Sequence, residues 1–161
     1  MEKGKEQGQE NFIKNGDFAD GKLEPWVAEG KGVGVFEEAG RYYVRIPATA
    51  NIHQNPNVPP SQPTLNFKVR TRETLDAGQS IVFLALLFFD LADGGIHIDP
   101  HTGYVTSSEW QTFDLKIPVS NPISALIQIT TMGTTEGRSL TKVKSGPNAM
   151  LEFKQLSLRA S

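Results

Sequence analysis

Thr64-Leu-Asn-Phe-Lys-Val-Arg-Thr71 alternates without a break. Leu65, Phe67 and Val69 share one face, and Asn66, Lys68 and Arg70 share the other. A period of two with one apolar face describes a strand whose sheet packs on one side only. The pattern returns in Trp110–Pro118 (WQTFDLKIP), where Phe113, Leu115 and Ile117 oppose Thr112, Asp114 and Lys116, and again where Ile127 and Ile129 oppose Gln128 and Thr130. Ile81–Phe89 (IVFLALLFF) differs in being apolar on both faces. Such a strand is central, and its second face is either covered or a binding surface.

Around these segments, 15 glycines and 10 prolines fall in clusters that cut the chain into short apolar pieces. No helical period and no internal repeat is visible. The expected strands are Phe12–Lys14, Trp26–Glu29, Val33–Glu38, Arg41–Ile46, Ala50–Gln54, Thr64–Thr71, Ser80–Asp90, Trp110–Pro118, Ala125–Thr131 and Met150–Leu158. Asn55–Pro63 (NPNVPPSQP) holds four prolines and reads as a stiff crossover. Ala92–Ser108 reads as a long functional loop. Short strands joined by a few long crossings predict an all-β antiparallel β-sandwich jelly roll over residues 11–160. Met1–Glu10 is charged, rich in Gly and Gln, and reads as a flexible tail or the start of an excised fragment.

At 161 residues the chain has the size of one domain. Its 38% hydrophobic and 21% charged residues are those of an ordinary folded protein. The net charge of −2 argues against nucleic acid or an anionic membrane as the main partner. No apolar run approaches the roughly 20 residues of a membrane helix, so no membrane insertion is expected. The absence of cysteine excludes disulfides, thiolate metal sites and cysteine nucleophiles. Gly30-Lys-Gly-Val-Gly34 enters a strand rather than a helix, so it lacks the helix dipole of a phosphate loop.

Five segments together carry a family resemblance: Asn11-Phe-Ile-Lys-Asn-Gly-Asp-Phe18 with Gly21 and Pro25-Trp26; Ala50–Gln54 (ANIHQ); Thr64–Arg70; Ser108–Pro118 (SEWQTFDLKIP); and Leu151–Leu158 (LEFKQLSL). In this order and spacing they resemble carbohydrate-binding modules with the galactose-binding-like jelly-roll fold. The resemblance implies a non-catalytic module, secreted or at the cell surface, that targets an attached enzyme or surface protein to a poly- or oligosaccharide; any export signal is absent from this sequence. It also implies that Arg70 and Gln128 line one groove. Many relatives hold a structural calcium between a Glu after the first strand and an Asp pair in the last. Here those positions read Ala19, Lys154 and Gln155, leaving Asp17, Asp20 and Glu152 as the candidate ligands. No other cofactor is expected. Two further readings stay open: a structural or protein-interaction sandwich of a larger secreted protein, and a small polysaccharide lyase or hydrolase.

The residues themselves supply a sugar-binding chemistry. Rings pack on sugar C–H faces, and planar polar groups pair with hydroxyls. The candidates are Tyr43, Arg45, Asn66, Lys68, Arg70, Gln128 and Thr130 on the polar strand faces, Phe88 and Asp90 on the central strand, and His97 and Tyr104 in the long loop. Arg45, Lys68 and Arg70 on one face hint at an acidic sugar. Phe18, Trp26, Trp110 and Phe113 are expected as core anchors. His97, Asp99 and His101 alternate as a metal set would, yet Pro100 interrupts them, and loop residues or sugar contacts are the favoured reading. For catalysis, Asp90, Asp93 and Asp99 could furnish a carboxylate pair, and Tyr104, His97 and Arg70 a lyase set; no motif stands behind either. An exposed ring beside Arg70 and Gln128 would favour a binding module, and an apolar patch an interaction module.

Overall fold

A computed structural model of the chain describes residues 10–136, 140, 143–144 and 149–161. The expected tail lies, but for Glu10, outside the described residues. Ten strands are described: β1 (Val27–Glu29), β2 (Gly34–Glu38), β3 (Arg41–Pro47), β4 (Asn51–Gln54), β5 (Thr64–Arg70), β6 (Gln79–Leu91), β7 (Ile96–Val105), β8 (Gln111–Lys116), β9 (Pro122–Glu136) and β10 (Met150–Arg159). The first sheet has the order β1-β4-β9-β6-β7 and the second β2-β3-β10-β5-β8, with antiparallel pairing throughout. This is the all-β sandwich that the alternating strands predict.

The core forms where the apolar faces meet. Leu65 and Phe67 of β5 pair with Leu115 and Phe113 of β8. The Phe67 ring lies 4.9 Å from Phe113, 5.5 Å from Phe83 and 5.7 Å from Phe153, which joins β5, β8 and β10 to β6 of the other sheet. Gly103, opposite Phe83 in β7, makes room for that ring, because a Cβ there would strike it. Phe18 and Trp26 are buried as expected. Asn55–Pro63 carries the chain from β4 in one sheet to β5 in the other.

Two strand expectations are corrected. Phe12–Lys14 is not a strand: Phe12 bonds backbone to backbone with Leu158 and Asn57, but side chains take the Ile13 amide and both groups of Lys14, so no ladder continues. Asn11 accepts from the Leu158 amide at 2.9 Å and donates to the Leu156 carbonyl at 3.0 Å, and Gln54 bonds both backbone groups of Lys14. Conversely, most of the expected loop Ala92–Ser108 is β7, a ten-residue strand running through Pro100. β7 is an edge strand, and a strand with a neighbour on one side only can dispense with an amide proton.

The Asn15-Gly16 turn is present, with the left-handed backbone at Asn15 (φ 52°). Gly16 has a different task. Leu156 donates its amide to the Gly16 carbonyl, and any Cβ on Gly16 would collide with the Leu156 carbonyl. Opposite this turn the register of β10 against β5 shifts between Lys154 and Ser157, with Gln155 at φ 54°. Leu151 and Phe153 before the bulge, and Leu156 and Leu158 after it, all reach the core.

Candidate functional site: the outer faces of the two sheets

Strand parity places Tyr43, Arg45, Asn66, Lys68 and Arg70 together on the outer face of the second sheet. The registers Arg45↔Glu152, Glu152↔Arg70 and Lys154↔Lys68 add Glu152 and Lys154 to that face. Its centre is the Glu152 carboxylate, only 2% exposed. Oε1 accepts from Arg70 Nε at 2.7 Å and Arg72 Nε at 3.0 Å, and Oε2 accepts from Arg45 Nε at 3.0 Å. Glu38 at the end of β2 pairs with Arg70 and Arg72, each at 3.0 Å. Arg70 thus bridges two carboxylates. Burial works against its charge, yet the bonds to Glu38 and Glu152 prevail and raise its pKa. The hydrogen bond from Arg70 in turn holds the Glu38 carboxyl below the ordinary range.

A strip of rings crosses this charged network. Phe36 of β2 stacks on Tyr43 at 5.9 Å, and Tyr43 meets Trp110 edge-on at 6.0 Å. Arg45 lies 4.3 Å above Phe36, and Arg70 and Lys154 lie 4.1 and 4.3 Å from the centre of Trp110. Tyr43 is buried, Trp110 half-buried, and Phe36 is 41% exposed. The expectation that Trp110 is a core anchor is therefore corrected. The parity of its own segment carries the reason: Phe113, Leu115 and Ile117 face inward, so an even-numbered Trp110 faces outward with Thr112 and Asp114.

Gln128 is elsewhere. It pairs with His53 of β4 and Leu86 of β6 on the outer face of the first sheet. Arg70 and Gln128 therefore lie on opposite sides of the sandwich and do not line one groove. Phe88, Asp90 and Tyr104 are also on the first sheet's outer face, so they do not join the Arg70 face. There Asp90 accepts from the Ser124 hydroxyl at 2.7 Å, and Gln128 donates to Thr130 at 3.3 Å. Leu84, Leu86, Phe88 and Leu126 are half-buried on this face, and Ile96 and Ile98 are 60% and 55% exposed.

His97, Asp99 and His101 pair with Phe89, Leu87 and Ala85, which turns all three toward the inside of the sandwich. His101 Nε2 is 2.7 Å from one Asp99 oxygen and His97 Nε2 is 3.8 Å from the other. An inward His97 is not placed to meet a sugar on either outer face. The enzyme candidates also scatter. Asp90 faces outward, Asp93 binds the Gly95 amide in the β6–β7 turn, and Asp99 faces inward. Tyr104, His97 and Arg70 occupy an outer face, an inner face and the other sheet. Asp17 and Asp20 are exposed beside the Asn15 turn, whereas Glu152 is held by three guanidinium groups. These carboxylates do not fit a calcium site, and among the described residues no group of three His, Asp or Glu is arranged to hold a metal ion.

Phe36, Glu38, Trp110, Arg72 and Lys154 are members of the second-sheet cluster that sequence reasoning left out. Parity signals Trp110 and Lys154. Arg72 lies beyond the end of β5, and no pattern announces that its side chain folds back over the face.

No protein family profile matches the chain, and no curated protein does. Solved structures do. TmCBM61 in complex with β-1,4-galactotriose superposes with a TM-score of 0.66 at 18% identity, covering 94% of this chain and 99% of that one. The CBM22-2 xylan-binding domain of Paenibacillus barcinonensis Xyn10C gives 0.63 at 12% identity, with 90% and 97% covered. The CBM22-1–GH10 modules of Clostridium thermocellum Xyn10B, complexed with xylohexaose, give 0.58 at 15% identity; 93% of this chain matches 27% of that one. Over nearly its whole length, the chain is similar in fold to carbohydrate-binding modules.

Proposed function

We propose that the chain is a non-catalytic module that binds a poly- or oligosaccharide on the outer face of the second sheet. It would hold an attached enzyme or surface protein on that polymer, outside the cell or at its surface. The observation that carries this reading is the strip Phe36–Tyr43–Trp110 set among the guanidinium groups of Arg45, Arg70 and Arg72. Rings offer faces for sugar C–H groups, and fixed planar cations offer paired donors for hydroxyl or carboxylate oxygens. Each guanidinium is already anchored on Glu38 or Glu152, so binding orders few side chains. The fold neighbours, solved with galactotriose or xylohexaose or named for xylan, support the ligand class, and the module joined to a GH10 domain supports attachment. The scattering of the candidate acids and bases supports a module without catalysis.

Calorimetric titration of β-1,4-galactan, xylan and acidic polysaccharides tests this. Trp110→Ala and Phe36→Ala should each weaken binding by roughly tenfold, on the order of one stacking contact. Gln128→Ala, on the other sheet, should not. A folded protein that binds no glycan would sink the reading; loss with Gln128→Ala alone would move the site to the first sheet.

The exposed Ile96 and Ile98 beside Leu84, Leu86 and Phe88 favour a second reading, a protein-contact surface on the first sheet. Light scattering with Ile98→Asp measures it: self-association abolished by the variant would support contact through this face.

A further inference from the structure

The outer face of the second sheet concentrates one sign of charge on a chain whose net charge is −2. Arg41, Arg45, Lys68, Arg70, Arg72 and Lys154 stand there against the carboxylates Glu38, Asp114 and Glu152. The carboxylates are unevenly shared. Glu152 is taken by Arg45, Arg70 and Arg72, and Glu38 by Arg70 and Arg72. Asp114 sits opposite Asn66 on β5.

The two lysines are left over. Lys68 and Lys154 are direct cross-strand partners of β5 and β10, and among the described residues neither has a carboxylate within ion-pair distance. Like charges directly opposite in a sheet repel. Lys154 shows the strain: burial first, then Lys68 and Arg70, hold its pKa below the ordinary lysine value, and the attraction of Glu38, which forms no ion pair with it, does not offset them. Its ammonium lies 4.3 Å from the centre of Trp110, so the pair borders the ring strip.

From this we infer that the ligand is an acidic polysaccharide, with a sugar carboxylate or sulfate seated between Lys68 and Lys154 while the attached sugar ring lies along Trp110. The inference rests on the glycan reading of this face and names its substrate class. An anion there accepts from two ammonium groups, each with three donors, and ends their repulsion. A neutral sugar would leave both charges unneutralised. A polysaccharide fits better than a nucleic acid. The strip has one well-exposed ring, Phe36, rather than the row of open platforms on which successive bases stack.

The test titrates the full chain with polygalacturonate, dextran sulfate, β-1,4-galactan, xylan and a single-stranded DNA oligonucleotide. Wild type is compared with Lys68→Gln, Lys154→Gln and the double variant. The expected result is binding to an acidic polysaccharide that weakens with salt. The double variant should lose roughly tenfold, the product of two partly screened ion pairs. It should melt close to wild type, because the relieved repulsion offsets the lost contact of Lys154 with Trp110, so lost affinity would not be lost fold. Preference between polygalacturonate and dextran sulfate tells carboxylate from sulfate. The inference is overturned by binding to neutral glycans only, by acidic-glycan affinity unchanged in the double variant, or by DNA bound as tightly as any polysaccharide. Neutral binding lost with Trp110→Ala would overturn it yet leave the glycan site standing. Binding to no polysaccharide would remove both.

Discussion

Glu152→Gln is a near-isosteric change whose cost follows from the geometry around one carboxylate. The native oxygens accept from Arg70 at 2.7 Å, from Arg45 at 3.0 Å and from Arg72 at 3.0 Å on both oxygens. Glutamine keeps one acceptor and turns an NH2 group toward guanidinium donors. It also leaves three cations without their central anion. Stranding one partner of a buried ion pair costs about 3–5 kcal/mol. The side chains of Arg72 and Arg45 are 49% and 29% exposed, so solvent screens their share, whereas that of Arg70 is 9% exposed and carries most of the loss. The low end, about 3 kcal/mol, is therefore expected. For a domain of this size that is roughly 6–12 °C in Tm. Urea and thermal unfolding measure it, together with Arg72→Ala in both backgrounds. Alone, Arg72→Ala should cost less than about 1 kcal/mol, and in the Glu152→Gln background it should cost less again, because only its bonds to Glu38 and Tyr43 are then lost. A Glu152→Gln protein within about 0.5 kcal/mol of wild type would refute the reasoning, because the carboxylate would then not organise the cluster.

Two further outcomes follow from other parts of the molecule. The Glu38 carboxyl, held below its ordinary range by Arg70, stabilises the fold at neutral pH and loses that contribution as pH falls through its lowered pKa. Glu38→Gln should thus lower Tm at pH 7, and the gap to wild type should begin to narrow as pH falls past the ordinary carboxyl value of about 4.3 and close only below the lowered pKa; a gap constant with pH counts against the ion pairs. Gly16→Ala should destabilise by about 2 kcal/mol or more, since the methyl meets the Leu156 carbonyl rather than a yielding side chain. Unchanged urea unfolding of that variant would show the contact to be dispensable.

Strand existence and facing were readable wherever apolar and polar residues alternate, as in β5 and β8. β7 was not, because its inward positions are His97, Asp99, His101 and Gly103, so no apolar period marks it, and Pro100 and flanking glycines imitate a loop. Phe12–Lys14 failed in the opposite sense: its apolar pair is buried or half-buried, but side chains of Asn11 and Gln54 replace the ladder. For the site, parity assembled Tyr43, Arg45, Lys68 and Arg70 correctly within one sheet. It could not say which of two sheets a strand joins, so it could not test the groove of Arg70 and Gln128 that the family resemblance implies. Sheet membership depends on crossovers such as Asn55–Pro63, whose direction leaves no periodic trace.

The extra residue in β10 has an evolutionary consequence. Because Gln155 reverses the inside and outside positions of the strand, the stretch before it and the stretch after it are registered separately. Loss of that one residue would leave every face where it is, since Leu156 would then follow Lys154 in unbroken alternation, and would remove only the bend that carries the Leu156 amide to the Gly16 carbonyl. A bulge flattened with Gln155 retained would instead exchange the faces of one half, forcing either Glu152 and Lys154 or Ser157 and Arg159 into the core. Related sequences should therefore keep the alternation on either side of this position, whether or not a residue stands there.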